Sequence, residues 1–248
     1  MRIAVLGAGS IGTRHRETVL ALGHQVMMFD LVPRECVAPI AEWDPEGYRA
    51  VIVCTPWDQH LVYTQRAVTA GVAVYVEKPL GPLTERDVWQ ALSEEAAARG
   101  IVTQVGYQTR FHHIYRGLCQ MCQEPARVAF RCAVDMETWP GSTYGPVTLE
   151  ASHDIDLALA TGARHGSVSV RNDSALAYLR DWRFELDEDS EVSATFTVPA
   201  ALGTDMYRDA MRHFLGCVEA GRQTDIPLSD GVRVMDAVAQ MQDGVYEW

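Results

Sequence analysis

The sequence predicts an α/β protein whose N-terminal domain is a doubly wound parallel sheet and whose C-terminal domain is α+β, with a shortened, mostly antiparallel open sheet. Two observations predict this class. Short apolar segments alternate with helical patterns up to about residue 122, which is typical of buried parallel strands joined by helices. Strand-like segments with one helix among them follow, which is typical of an antiparallel sheet. We expect one domain over residues 1–122 and a second over 123–248, whose last helices can pack back on the first.

The first element is a strand at Arg2–Leu6, which a glycine-rich loop joins to a helix predicted over residues 11–22. The loop is a complete G-x-G-x-x-G pattern, and its candidate cofactor-binding residues are Gly7, Gly9, Ser10, Ile11 and Gly12. Such glycines allow a tight turn, close approach of a pyrophosphate to the backbone and close packing of helix on strand, while the helix N-terminus faces the anion. The loop therefore predicts a Rossmann dinucleotide site.

The second strand, residues 25–29, leads to Asp30, which follows the loop by about 20 residues, the spacing of the acid that binds the adenine ribose. A 2′-phosphate would meet this carboxylate as a like charge, so Asp30 favours NAD over NADP. Arg34 is the alternative, since its guanidinium could swing to bind that phosphate.

Three further strands complete the first sheet. They are predicted at residues 50–54, 72–76 and 101–106, with helices at 59–70 and after Thr84, a good N-cap residue. The strand at 72–76 runs into Glu77-Lys78-Pro79, where the proline ends the strand and fixes the position of the lysine. Because open α/β sheets bind ligands at the carboxyl ends of their strands, this charged pair is a candidate site.

The second domain is predicted to combine antiparallel strands with helices. The strands lie at residues 127–136, 167–170, 177–186 and 191–198, and the helices at 147–160, 205–221 and 230–241.

The composition, with 48% hydrophobic and 22% charged residues, is ordinary for a soluble globular protein. The formal net charge of −12 argues against nonspecific binding to nucleic acid or anionic membranes, but it does not exclude an anionic substrate. No apolar segment is long enough to span a bilayer, and the first residues predict strand and loop rather than a cleavable signal, so we expect a cytoplasmic protein. The C-x-x-C pair Cys119 and Cys122 has no partners at metal-binding spacing, so we predict reduced structural thiols and no metal site.

Together these motifs resemble the Gfo/Idh/MocA oxidoreductases, the family of glucose-fructose oxidoreductase and inositol dehydrogenase. The resemblance runs nearly end to end. It rests on residues 7–12, Thr55-Pro56 with His60, Glu77-Lys78-Pro79, residues 105–111, and residues 152–156, which are similar to the family's H-x-x-D helix start. It implies hydride transfer between a nicotinamide and a secondary carbinol or ketone of a sugar, a cyclitol or a nucleotide sugar.

The resemblance further implies that Lys78 and His153 are the catalytic pair. Oxidising a carbinol releases a proton as the hydride leaves, so a base must lie within hydrogen-bond reach, and a histidine suits that role near neutral pH. A cationic Lys78 would stabilise the developing alkoxide. The cofactor is expected to be bound by the glycine loop together with Asp30, Cys54, Thr55, Pro56, His60, Glu77 and Lys78.

The candidate substrate-binding residues are Gln108, Arg110, Trp139, Tyr144, Glu150 and Asp156. Gln108 and Arg110 could bind hydroxyls or an anionic group, whereas Asp156 could contact substrate, orient His153 or cap its helix. Trp139 and Tyr144 could stack on a sugar face or pack in a core or interface.

One departure concerns the aspartate that related inositol dehydrogenases carry four residues before the histidine. That position is Leu149 here. Glu150 lies three residues before His153, on the same helix face, and either replaces the aspartate or serves only the helix dipole.

Two other functions remain open. One is reduction of a C=C or C=N bond, as in relatives similar to biliverdin reductase, and the other is a regulator that binds NAD without turnover. Such a regulator would be expected to lose the lysine, which this chain keeps as Lys78.

The antiparallel sheet also predicts self-association. Val192, Ala194 and Phe196 alternate with polar residues, so one face of their strand is apolar and must be covered. We expect a homodimer or a dimer of dimers formed through this sheet. Light scattering at micromolar concentration checks this expectation, and a monomer would contradict it.

Overall fold

The computed structural model describes residues 1–113, 116, 127–133, 152–160, 167–169, 179–185, 191–197, 203–239 and 245–247. The strands are β1 (Arg2–Leu6), β2 (Gln25–Asp30), β3 (Val37–Pro39), β4 (Ala50–Val53), β5 (Ala73–Val76), β6 (Thr103–Val105), β7 (Arg127–Ala133), β8 (Ser167–Ser169), β9 (Leu179–Glu185), β10 (Glu191–Thr197) and β11 (Val245–Glu247). The helices are α1 (Ser10–Ala21), α2 (His60–Thr69), α3 (Arg86–Ala98), α4 (Ser152–Ala160), α5 (Gly203–Ala220) and α6 (Leu228–Ala239).

The first sheet is parallel throughout and has the order β3-β2-β1-β4-β5-β6. This is the doubly wound order with its reversal between β1 and β4, as the alternation of strands and helices predicted. The reversal places the ends of β1, β4 and β5 side by side. The residues that follow these three strands therefore lie together at the carboxyl end of the sheet.

Two details of this domain differ from the sequence-based prediction. The strand β3 was not predicted, because it has only three residues and no apolar periodicity, yet it pairs with β2 through Met28 and Val37. Thr84 is not the N-cap of α3. It lies inside a 3-10 turn, Leu83–Glu85, and the helix begins only at Arg86.

Both faces of the first sheet are covered. Alternate residues such as Ile3, Val5 and Ile52 belong to one core cluster, and the residues between them, such as Ala4 and Val51, are equally inaccessible to solvent. The cluster also contains side chains of α5, which follows β10 in the chain. They are Met211, Phe214, Leu215, Cys217 and Val218.

The described strands of the second domain are antiparallel, as predicted. One sheet has the order β10-β9-β7, with Ala194 opposite Trp182 and Phe130 opposite Trp182, and β11 pairs with β8 in a second sheet. The side chains on which the predicted apolar face of β10 depends lie outside the described residues. Self-association through that face therefore stays a prediction.

The chain divides into two compact units. The first contains Met1–Tyr107 and Tyr207–Val232, and the second contains Gln108–Met206 and Arg233–Trp248. The first stretch ends at Tyr107, and the domain boundary at residue 122 stays a prediction. None of the helices in the described part of the chain is long and apolar enough to cross a membrane.

The packing of α5 gives a prediction about stability. Phe214 is fully buried, and its ring lies 5.7 Å from that of Tyr75 on β5. Phe214→Ala is expected to lower the free energy of unfolding by about 3–5 kcal/mol, because it leaves a cavity in the core of the first unit. Glu219→Ala on the exposed side of α5 is the control and should stay within about 0.5 kcal/mol. Equal effects in chemical denaturation would show that α5 does not contribute to this core.

Candidate functional site

The glycine loop forms a tight turn between β1 and α1. Gly7 donates its N–H to the Phe29 carbonyl at 2.8 Å, and its φ of +97° is a conformation that favours glycine. A Cβ on Gly7 would overlap the carbonyl of Cys54, and a Cβ on Gly12 would overlap the carbonyl of Gly7. Two of the three glycines are therefore required by close backbone packing, in the roles that the motif predicts.

The middle glycine is different. Gly9 is exposed, and a Cβ added there would meet no atom of the described residues within 4 Å. Its φ of −70° suits any residue, so neither packing nor backbone conformation requires glycine at this position. The open side of Gly9 lies at the N-terminus of α1, where backbone N–H groups and the helix dipole favour an anion. These residues fit the pyrophosphate of a dinucleotide.

Asp30 closes β2 beside this loop. Its carboxylate accepts hydrogen bonds from the N–H groups of Ala8 at 2.6 Å and Val32 at 3.1 Å, and Arg34 donates to the Ala8 carbonyl. Partial burial raises the pKa of the Asp30 carboxyl, but these hydrogen bonds and the charge of Arg34 outweigh it, so the pKa is lowered. The carboxylate is therefore negative at neutral pH, as its expected role at the ribose requires.

The segment after β4 is joined to the segment after β5 through His60, at the start of α2. His60 is buried, with Nδ1 2.9 Å from the Pro79 carbonyl oxygen and Nε2 2.8 Å from that of Thr55. Burial lowers the pKa of His60 and its contacts with these carbonyls only partly offset that effect, so the neutral ring is favoured. A neutral ring carries one proton and donates to one carbonyl at a time.

Cys54 and Thr55 are buried in this segment, and Pro56 is exposed. Burial raises the pKa of the Cys54 thiol well above its usual value, and the charge of Glu77 raises it further. The Cys54 thiol is therefore protonated near neutral pH, as is usual for a buried structural cysteine.

Glu77 follows β5 directly and is almost fully buried. Its N–H donates to the Val53 carbonyl at 2.9 Å, while one carboxylate oxygen lies 2.7 Å from Nε2 of His15 and the other accepts from the Lys78 N–H at 3.3 Å. A Cβ on Gly106 would lie only 2.8 Å from this second oxygen, so the absence of a side chain there makes room for the carboxylate. Sequence reasoning missed His15, although it lies in the helix that the glycine motif opens.

Lys78 is half-buried between two buried neighbours, Glu77 and Pro79, and the Lys78–Pro79 peptide is cis. It is also the only lysine in the 248 residues, since all the other residues counted as lysine or arginine are arginines. Arginine cannot release its proton near neutral pH, whereas a lysine can exchange one. Sequence reasoning missed that this position carries the one amine side chain of the sequence.

The second unit contains the remaining described candidates. Arg110 forms a bidentate ion pair with Asp156, through Nε at 2.7 Å from Oδ2 and through Nη2 with Oδ1. Asp156 is completely buried and Gln108 nearly so. The two charged residues that were expected to bind substrate thus bind each other, so each is held in place for whatever contact it makes.

His153, one turn before Asp156 on α4, is buried, and its Nδ1 lies 3.4 Å from the Thr109 hydroxyl. Lys78 belongs to the first unit and His153 to the second, and their catalytic pairing stays a prediction. Trp139, Tyr144 and Glu150 lie outside the described residues, and so does the predicted C-x-x-C pair.

The fold and the first unit's residues define a class. A glycine loop at a helix N-terminus and an ionised acid closing β2 are the features of a Rossmann dinucleotide-binding domain, and a lysine follows β5 at the same end of the sheet.

Comparisons with known proteins agree with this class. The model of the Gfo/Idh/MocA family, described as an oxidoreductase family with an NAD-binding Rossmann fold, matches residues 40–107. Inositol 2-dehydrogenase of Pseudomonas syringae pv. syringae (strain B728a) is 30% identical in an alignment 206 residues long that covers 76% of this chain and 55% of that protein. The scyllo-inositol 2-dehydrogenase (NAD(+)) of Bacillus subtilis (strain 168) is 29% identical over 46% of this chain and 38% of its own. The chain thus spans about half the length of these relatives or less.

Solved structures share the fold at low sequence identity. The scyllo-inositol dehydrogenase from Lactobacillus casei with bound cofactor NAD(H) and scyllo-inositol has a TM-score of 0.79 at 15% identity, over 100% of this chain and 98% of that one. UDP-N-acetylglucosamine 3-dehydrogenase from Acidithiobacillus ferrooxidans has a TM-score of 0.79 at 19% identity, over 97% and 96%. The chain belongs to the Gfo/Idh/MocA oxidoreductase family, as its motifs predicted.

The exposed Gly9 and the buried Gly12 allow a matched pair of substitutions. Gly9→Ala is expected to leave the free energy of unfolding within about 1 kcal/mol, because its Cβ has open space, but to weaken NADH binding about tenfold or more by blocking the pyrophosphate. Gly12→Ala is expected to destabilise the protein by at least about 2 kcal/mol, because its Cβ overlaps backbone that cannot move aside. Thermal unfolding and NADH titration separate the two effects. Similar outcomes for both variants would contradict the assignment of Gly9 to the cofactor.

Proposed function

We propose that the protein is an NAD-dependent dehydrogenase that interconverts a secondary carbinol and a ketone on a sugar, a cyclitol or a nucleotide sugar. The observation that carries this proposal is the position of Lys78, the only lysine of the chain. It is half-buried after β5, at the carboxyl end of the sheet where the glycine loop also lies. The inositol dehydrogenases and the nucleotide-sugar dehydrogenase among the similar proteins support the class of substrate.

The described residues account for the parts of such a reaction. When NAD is bound, its nicotinamide supplies the hydride acceptor. The ammonium group of Lys78 stabilises the negative charge that develops on the substrate oxygen, in the manner of an oxyanion clamp. His153 accepts the proton of the hydroxyl, which its imidazole can do near neutral pH. Arg110, kept in one orientation by Asp156, is the proposed contact for substrate hydroxyls.

A substrate screen tests the proposal. A panel of sugars, cyclitols and nucleotide sugars is incubated with NAD, and NADH formation is followed by absorbance. We expect turnover with at least one polyhydroxylated secondary carbinol. Lys78→Ala should lower kcat by about two orders of magnitude or more while the Kd of NADH changes only a few fold.

Lys78→Arg is the matched control for charge. It keeps the cation that the proposed stabilisation of the alkoxide requires, so kcat should fall less than in Lys78→Ala, by the amount that the larger, planar guanidinium misplaces the charge. Unchanged turnover in Lys78→Ala would remove Lys78 from the reaction. NADH binding without turnover on any member of the panel would instead favour the regulator, and turnover only with an unsaturated or imine substrate would favour the reductase.

The cofactor preference is a separate prediction. The Asp30 carboxylate is ionised and lies at the glycine loop, so a 2′-phosphate would be repelled, and we expect NADH to bind about tenfold or more tightly than NADPH. Asp30→Ser should narrow or reverse this difference, because Arg34 remains beside Ala8. Arg34→Ala in the Asp30→Ser background should abolish that gain. Tighter binding of NADPH by the unmodified protein would contradict the preference.

A further inference from the structure

His15 is a buried histidine that the proposed reaction does not use directly. It lies on α1, the helix that begins at the glycine loop, and its side chain is fully inaccessible to solvent. Its ring makes edge-on contacts with Tyr75 at 5.1 Å and Tyr207 at 5.9 Å between ring centroids. The ring is therefore held on two sides, and its Nε2 is directed to the Glu77 carboxylate at 2.7 Å.

The direction of this hydrogen bond follows from its partners. A carboxylate only accepts, so Nε2 of His15 carries the proton and donates it. The other ring nitrogen, Nδ1, has no hydrogen-bond partner among the described residues, so nothing there competes for the opposite tautomer. His15 thus presents one fixed donor to one buried acceptor.

The lysine is anchored on both sides of its Cα. On one side, the second oxygen of the Glu77 carboxylate accepts from the Lys78 N–H at 3.3 Å, and the Glu77 N–H is bonded to β4 at Val53. On the other side, the Pro79 carbonyl lies 2.9 Å from the ring of His60. Of these anchors, only the one through His15 starts from the helix that receives the pyrophosphate.

We propose that His15 is a positioning residue for Lys78: by holding the Glu77 carboxylate, it fixes the backbone of the lysine to the helix at which the dinucleotide binds. The inference rests on the proposed function only in assigning Lys78 to the reaction. The arrangement has a use in catalysis, since the nicotinamide and the charge-stabilising amine must stay in register, and an error of about 1 Å in such a site can cost a hundredfold in rate.

The kinetic test compares three substitutions on the same helix. His15→Leu removes the donor, and we expect kcat to fall by about tenfold to a hundredfold while the Kd of NADH changes less than about threefold. His15→Gln supplies an amide N–H at a similar reach and should restore most of kcat. Val19→Ala, one turn further along the buried face of α1, loses core packing without touching Glu77, so it should lower the melting temperature but not kcat.

A spectroscopic test uses the single lysine and needs no substrate. Growth on ¹⁵N-lysine places the label at one residue, so a ¹H–¹⁵N spectrum contains one backbone amide peak, that of Lys78. We expect this peak to move or broaden in His15→Leu, to return towards its original position in His15→Gln, and to stay in place in Val19→Ala. Glu77→Gln is the second variant if His15→Leu does not fold. It puts an amide next to the Lys78 N–H and should also move the peak and lower kcat.

The outcomes separate the two proposals. A moved peak with lowered kcat and rescue by glutamine supports the positioning role. A peak and a kcat in His15→Leu and in Glu77→Gln that match those of Val19→Ala would overturn it and leave His15 as core packing. If the unmodified protein turns over no substrate, the proposed dehydrogenase function fails, whereas a moved and rescued peak still supports the link between His15 and Lys78.

Discussion

The buried carboxylate of Glu77 is the constraint on which the rest of the first unit's site depends. A carboxylate with only a few per cent of its surface exposed is costly unless each oxygen is satisfied, and here one oxygen binds His15 and the other binds the Lys78 N–H. Together the two hydrogen bonds require α1 to lie next to the end of β5. They also require Gly106, which follows β6, to have no side chain. The site is thus organised around an acid that is not expected to react itself.

The carboxyl end of the sheet explains why the motifs are far apart in the chain but close in space. The reversal of strand order between β1 and β4 places the turn at Gly7 against the carbonyl of Cys54, and the next strand delivers Glu77 beside them. His60 then joins the segments after β4 and β5 through the carbonyls of Thr55 and Pro79. The glycine loop, the segment at Thr55 and the segment at Lys78 are consequently joined by hydrogen bonds at the carboxyl end of the sheet. A family resemblance based on these motifs has a physical basis in those hydrogen bonds.

Much of this could be predicted from the sequence, for reasons that particular residues make clear. Apolar strands such as Arg2–Leu6 and Ala73–Val76 are buried on both faces and were recognisable as uninterrupted apolar runs. The glycine loop was recognisable because close backbone packing demands two of its three glycines, Gly7 and Gly12. The edge strand β3 could not be predicted, because its three residues are too few to show a periodic pattern and it forms only by pairing with β2. The amphipathic pattern of α5 did not by itself say which unit its apolar face joins, although packing of the last helices on the first domain was expected.

The polar part of the site was the least predictable from sequence. His15, Glu77 and Gly106 are distant in the chain, and none of them by itself indicates that the three meet around one carboxylate. The ion pair between Arg110 and Asp156 could not be predicted, because the two residues lie on different elements and their spacing in the sequence does not indicate contact. Hydrogen bonds between elements depend on tertiary packing, which the pattern of one element does not contain.

A double-mutant cycle on the free energy of unfolding tests most directly whether the buried His15–Glu77 pair joins α1 to the segment that follows β5. The cycle uses His15→Leu, Glu77→Leu and the double variant in chemical denaturation. Removing one partner leaves the other buried without its hydrogen bond. The losses of unfolding free energy in the two single variants should therefore sum to more than the loss in the double variant. We expect a coupling energy of at least about 1 kcal/mol between the two sites. Two single effects that simply add in the double variant would contradict the account.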